Sequence, residues 1–154
     1  MQYWLLKSEP DVFSIDDLAK MPNQTDHWDG VRNYQARNMM RDEMKLNDLA
    51  FFYHSNCSVP GIVGIMKIVR EGYPDFTSWD SDSKYYDKKS SAEKPRWHMV
   101  DVQFVRKFSQ TIPLTTLKAA QELESFSLTK RGNRLSVMPV CEAHWNFILS
   151  LENN

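Results

Sequence analysis

Apolar side chains cluster in short unbroken runs at Tyr3-Trp-Leu-Leu, Phe51-Phe-Tyr53 and Ile62-Val-Gly-Ile-Met66. Runs of that length, bounded by Pro, Gly, Ser and Asn, predict buried strands rather than helices. The first covers Tyr3 to Lys7 and is closed by Pro10; the next two cover Leu49 to Tyr53 and Ile62 to Val69. Gly64, inside the third, predicts a bulge or the close approach of another backbone or ligand. From Arg96 to Phe108 the pattern alternates, with His98, Val100, Val102 and Phe104 on one face of a long strand and Trp97, Met99 and Asp101 on the other. Arg134 to Val137 reads as a short closing strand.

Helical periodicity is confined to shorter stretches. Ser14-Ile-Asp-Asp17 is an acidic form of the capping box and predicts a short helix that stops at Pro22. Asn33 caps a second helix from Tyr34 to Met44, with Arg37, Arg41 and Lys45 on one face. Leu114 to Leu123, after Pro113, and Val140 to Leu151, with Trp145, Ile148 and Leu149 apolar, complete the set. Strands with helices inserted and no Gly-rich βα turns predict an α+β fold, a small mixed β-barrel of five or six strands with peripheral helices. No repeat or low-complexity linker divides the 154 residues, so a single domain over 1–154 is expected. The span from Gly72 to Pro95 is irregular yet carries Tyr73, Phe76, Trp79, Tyr85 and Tyr86, too many rings for a solvated loop, so part of it is expected to pack over the domain.

The candidate chemistry centres on the elbow between the second and third strands. His54-Ser55-Asn56 places consecutive polar groups at a strand end, before a Pro60-Gly61 turn. Such a cluster either satisfies its own turn or fixes the orientation of a ligand at the mouth of a pocket. Trp28 precedes a Gly and a helix start, where an indole serves as core or as pocket wall. Asn33 can turn its amide to a base edge as well as cap a helix. Arg32 is a phosphate contact or a solvated cation, and Trp97 is a second candidate ring. Lys7, Ser8 and Glu9, at the end of the first strand, form either a polar rim or a set for amide hydrolysis, with Lys7 and Glu9 on one side.

Composition excludes several classes. A net charge of −1 argues against wholesale polycationic binding while leaving room for a local basic face. Cys57 and Cys141 have no CxxC spacing, and a reduced, cytoplasmic, intracellular setting follows as the expectation. The start of the chain is too short for a signal peptide, and no apolar run approaches the roughly 18 to 20 residues that span a bilayer. The histidines lack HxxxH and HExxH spacing, so no metal and no cofactor is expected. Walker, GxGxxG and GxSxG motifs are absent, and Cys57 beside His54 is a weak local match for a nucleophile pair.

Taken in order, Tyr3-Trp-Leu-Leu-Lys-Ser-Glu-Pro10, Trp28-Asp-Gly-Val-Arg-Asn33, Phe52-Tyr-His-Ser-Asn56, Pro60-Gly-Ile-Val-Gly64, Tyr73-Pro-Asp75, Tyr85-Tyr-Asp87, Pro95-Arg-Trp97, Val100-Asp-Val102 and Arg134-Leu-Ser-Val-Met-Pro-Val140 resemble the EVE domain family. That family includes the thymocyte nuclear protein group and many short bacterial proteins. The resemblance implies a PUA-like barrel related to YTH and ASCH domains, and binding of modified bases, with modified cytosine in DNA the usual proposal and a modified RNA base the other. Trp28 matches one wall of the YTH aromatic cage, and Ser55 and Asn56 fall where the YTH strand turns at its pocket. Trp79 and Trp97 compete for the second cage position.

The expectation is therefore a non-catalytic, monomeric reader of a modified nucleobase. Trp28 and Trp97 stack on the base, Asn33, Tyr53, Ser55, Asn56 and Gly61 shape its pocket, and Arg32, Arg37 and Arg96 hold phosphates. Lys7, Ser8, Asp75 and Trp79 form a rim. The rival is a small ASCH-like hydrolase of modified nucleosides, with Lys7 and Glu9 as acid and base.

Overall fold

In the computed structural model, which describes residues 1–152, six strands form one mixed sheet. They are β1 (Tyr3–Ser8), β2 (Thr25–His27), β3 (Leu49–His54), β4 (Gly61–Pro74), β5 (His98–Pro113) and β6 (Val137–Val140), in the spatial order β2-β5-β4-β3-β1-β6. β1 and β3 run parallel and every other pairing is antiparallel. The fold is α+β and PUA-like as expected, with β2 and β6 as the two edges of the sheet.

The unbroken apolar runs arise because both faces of the sheet are buried. Successive residues point to opposite sides, so Leu6, Phe52, Met66 and Val137 enter one core while Leu5, Phe51, Ile65 and Met138 enter the other. The first core is covered by α1 (Ile15–Lys20) and α2 (Tyr34–Asn38), through Ile15, Leu18 and Ala36. The second is covered by α3 (Leu114–Ala119) and α4 (Glu142–Leu151). Trp145 of α4 stacks on Phe51 at 3.9 Å and on Tyr3 at 4.5 Å. Each such ring pair contributes about 0.5–1.5 kcal/mol beyond its buried area.

Several elements differ from the sequence expectation. β2 was not foreseen: Thr25-Asp-His is polar, and its pairing to Gln103-Val102-Asp101 of β5 supplies the ladder that its side chains do not advertise. The closing strand begins at Val137 instead of Arg134 and runs to Val140, so α4 starts at Glu142. The helix expected to Leu123 ends at Ala119, followed by a separate 3₁₀ turn. The helix expected from Tyr34 to Met44 keeps α geometry only to Asn38 and closes as a π turn over Met39–Glu43, the Met44 N–H donating to Met39 O at 3.0 Å. The wider turn breaks the i, i+4 register of Arg37, Arg41 and Lys45. It also rests directly on β4, where a Cβ at Gly72 would come within 2.6 Å of Met40 O.

Gly64 bears out the expected close approach: a Cβ there would lie 2.4 Å from Arg106 O, and the β4–β5 register shifts at this point. The Ser14 capping box forms as drawn, with Ser14 and Asp17 exchanging side-chain to backbone bonds. Among the described residues no helix is long and apolar enough to cross a membrane.

Candidate nucleic-acid interface

The C-terminal end of β1, the elbow after β3 and the turn after β2 meet at a cleft of about 600 Å³. Lys7 and Ser8 come from β1 and Glu9 follows it, Ser55 comes from the elbow, His27 from the end of β2, Trp28 to Val31 from the turn, and Lys84 and Tyr85 from the ring-rich strap between β4 and β5. Arg134 and Ser136 close the remaining side.

The elbow is held to β1 by backbone pairing: Ser55 N–H donates to Ser8 O at 3.0 Å. Asn56 takes a left-handed φ of 51° and its amide donates to Glu9 Oε1 at 2.5 Å. His54 turns inward, its Nε2 accepting the Ile15 N–H at 3.1 Å, and burial pushes its pKa down. That nitrogen is therefore occupied, and the Cys57–His54 pair has no free base. Ser8 Oγ likewise donates to Phe13 O at 2.7 Å.

Trp28 stands at the cleft with 6% of its surface exposed, its ring edge-on to Phe52 at 5.1 Å and to Phe13 at 6.3 Å. The next residues make a tight turn. Gly30 has φ 81°, and a Cβ on it would strike the Tyr85 ring at 2.6 Å, so only glycine lets that ring lie against the turn. Gly30 N–H donates to Asp75 Oδ2 at 2.9 Å. Asp75 is fully buried and accepts further bonds from the Thr77 N–H and hydroxyl and from Arg32. Burial raises its carboxyl, but the bonds from Thr77, Gly30 and Arg32 outweigh that and hold it below its ordinary 3.8.

Arg32 also gives two bonds to Tyr85 O, at 3.2 and 2.7 Å, and one to Val31 O. Its guanidinium thus fastens the strap and is not free to hold a phosphate. Arg37 is similarly committed to Asn38 Oδ1 and Arg96 O. Arg96 is half-buried, away from the cleft lining.

The remaining expected residues fall elsewhere. Trp97 is buried, stacks on Tyr34 at 4.8 Å and donates its indole N–H to Asp87 at 2.8 Å. It lines a separate groove with Arg32 and Tyr85. Trp79 ends the short 3₁₀ turn Phe76–Trp79, outside the cleft, and Asn33 spends its carbonyl on the Ala36 N–H. Tyr53 points into the second core, where burial pushes its hydroxyl up to about 12. Gly61 serves strand pairing, since a Cβ there would meet Ile112 O at 2.2 Å.

Asp29, Lys84, Tyr85 and Arg134 line the cleft without having been foreseen as ligand contacts. Asp29 follows Trp28 before a glycine that fixes the turn, which was the available signal; the others are joined only by the fold. Burial raises the Asp29 carboxyl and lowers the Lys7 ammonium, as a weakly solvated cleft does to charges of either sign. His27 Nε2 lies 3.7 Å from Asp29 Oδ2.

Fold and cleft together define a PUA-like domain with an open cleft at the end of β1. The profile of the EVE domain matches residues 2–151, and the chain belongs to that family. It is 52% identical to mouse thymocyte nuclear protein 1, the match covering 97% of this chain and 73% of the mouse protein. A crystal structure of human THYN1 protein in complex with 5-methylcytosine containing DNA superposes with a TM-score of 0.95 at 47% identity, over 100% of this chain and 99% of that one. An ASCH protein from Zymomonas mobilis, 9% identical with a TM-score of 0.53 over 98% of this chain and 99% of its own, shares the fold alone.

Proposed function

We propose that the cleft receives one modified cytosine of a DNA strand, turned out of its stack, and that the protein reads it without chemical change. The observation that carries this reading is the junction of an aromatic wall with a desolvated carboxylate: Trp28, Asp29 and Tyr85 line one cleft. Cytosine presents an N4 amine that donates, whereas thymine, with the same 5-methyl position, presents an O4 that accepts. A carboxylate at Asp29 bonds the first and repels the second. Stacking on an aromatic face supplies about 1–3 kcal/mol per base but does not tell bases apart. Trp28 keeps its expected role as a wall, and Tyr85 replaces Trp97 as the second face. Ser55 and Ser136 offer polar groups around the base. Extrusion costs a few kcal/mol, least where pairing is weak. The human relative's complex with methylated DNA supports the choice of ligand.

Binding to oligonucleotides that differ only in 5-methylcytosine, cytosine or thymine at one position tests the reading. Preference for 5-methylcytosine over both is expected, and Asp29→Ala should erase the discrimination against thymine. Equal affinity of the wild type for all three would overturn it.

A hydrolytic reading draws on one observation: Lys7, its pKa lowered by burial, shares the cleft with Glu9. Turnover of an acylated or alkylated nucleoside that is lost in Lys7→Ala would favour it.

A further inference from the structure

Lys7 lines two clefts. Besides the one described, it borders a neighbouring groove of about 440 Å³ shared with Lys118, Lys130 and Arg131. Among the described residues no acidic side chain lines that groove, and none of these cations has an ion-pair partner. Elsewhere Arg32, Arg41, Arg106 and Lys107 are each paired to a carboxylate. In a chain of net charge −1, four cations lining one groove make a local positive field.

The groove and the first cleft share Lys7 in their linings. Lys7 N–H donates to Ser136 O at 2.8 Å, which lays the end of β1 beside the loop that carries Arg131. Three residues on, Arg134 lines the first cleft. The loop itself is fixed: Asn133 donates its amide to Ser127 O and accepts the Leu135 N–H at 2.8 Å, and Thr129 Oγ1 donates to Leu123 O at 2.7 Å. Lys118, Lys130 and Arg131 are exposed, so their charges meet an approaching strand without prior rearrangement of the backbone.

We infer that the Lys7–Lys118–Lys130–Arg131 groove is the track for the phosphodiester backbone that flanks the base held in the first cleft. The inference rests on the base-reading proposal above for its register, and it moves the phosphate contacts away from Arg32 and Arg37, whose donors are consumed inside the protein. Lys7 sits at the junction. Its ammonium lies 5.6 Å from the centroid of the Tyr53 ring, which lines the groove.

The test is fluorescence anisotropy with a single-stranded oligonucleotide carrying one 5-methylcytosine and with its unmodified counterpart, over a series of salt concentrations. The variant is Lys118→Ala/Lys130→Ala/Arg131→Ala, with Arg41→Ala as control and thermal melting to verify folding. The triple variant should bind both oligonucleotides about tenfold or more weakly at low salt, and the log–log salt slope should fall by about 0.7 for each phosphate no longer neutralised. The modified-to-unmodified preference should stay at its wild-type value. Wild-type affinity and slope in the triple variant would overturn the track, as would a loss of preference with an unchanged slope. Should the wild type show no preference while the triple variant still loses affinity and slope, the base-reading proposal fails and the phosphate track stands.

Discussion

Arg32 Nη1 lies 3.0 Å from Asp75 Oδ2, and the same oxygen accepts the Gly30 N–H at 2.9 Å. One buried carboxylate therefore anchors both the turn that presents Asp29 and the guanidinium that holds the strap through Tyr85 O. Removing it should loosen two walls of the cleft at once. Asp75→Ala is expected to lose about 3–5 kcal/mol, the range for breaking a buried charge pair, read from urea denaturation midpoints. Arg32→Lys, which keeps the charge but loses the planar fork, should destabilise as well, although Lys retains a positive neighbour for Asp75.

The same carboxylate makes an acid-side prediction. Its folded pKa is below the ordinary 3.8, so its stabilising contribution is complete above that value and is withdrawn as pH falls through the lower folded one. Wild-type stability should therefore drop on acidification below about pH 4. Asp75→Asn should show a flatter pH profile in that window; an unchanged profile would remove Asp75 from the account.

Asp29 has the opposite sign. Burial raises its folded pKa, so the folded state binds the proton more tightly, and stability is lost as pH rises from 3.8 through the folded value. Asp29→Asn at neutral pH is expected to leave thermal stability unchanged or higher, while weakening discrimination between 5-methylcytosine and thymine. A clear drop in melting temperature would show that the carboxylate is there for structure.

Trp28 serves both core and cleft, so its truncation needs two variants. Trp28→Ala should cost about 3–5 kcal/mol, as large-to-small changes at buried aromatics do. Trp28→Phe keeps most of the packing against Phe52 and Phe13 and should lower affinity for every oligonucleotide with a smaller loss of stability. Unaltered binding in a folded Trp28→Phe protein would argue that the indole does not touch the base.

Gly30→Ala probes the turn without touching a charge. A methyl group there meets the Tyr85 ring and sits at positive φ, so the variant should lose more than about 1 kcal/mol. Binding should fall further than stability, because the displaced ring is a wall of the cleft; titration of the folded variant with oligonucleotide separates the two effects.

Much of the fold was legible in the chain. The runs around Leu5, Phe52 and Ile65 had to be strands, because residues apolar on alternate sides satisfy a sheet buried on both faces. Gly64 announced a close approach that β5 supplies. Three-residue β2 was illegible because its pairing is made by backbone groups, and the π turn was illegible because the strand it rests on, β4 at Gly72, lies far along the chain. Of the cleft, Trp28, Ser55, Lys7 and Ser8 were foreseen and are brought together. Trp97 and Arg32 have the residue types of ligand contacts, yet Asp87 and Asp75 engage them first.

Most of the strands, membership of the EVE family, and Trp28 and Ser55 as candidate pocket residues were readable along the chain. Those features follow from local periodicity and from ordered motifs, which survive in one dimension. Which polar groups remain available for a ligand was fixed by packing alone. A donor satisfied by a carboxylate 43 residues away reads in sequence the same as a free one. The cations beside Lys7 stand apart for the converse reason: among the described residues no carboxylate lines their groove to neutralise them.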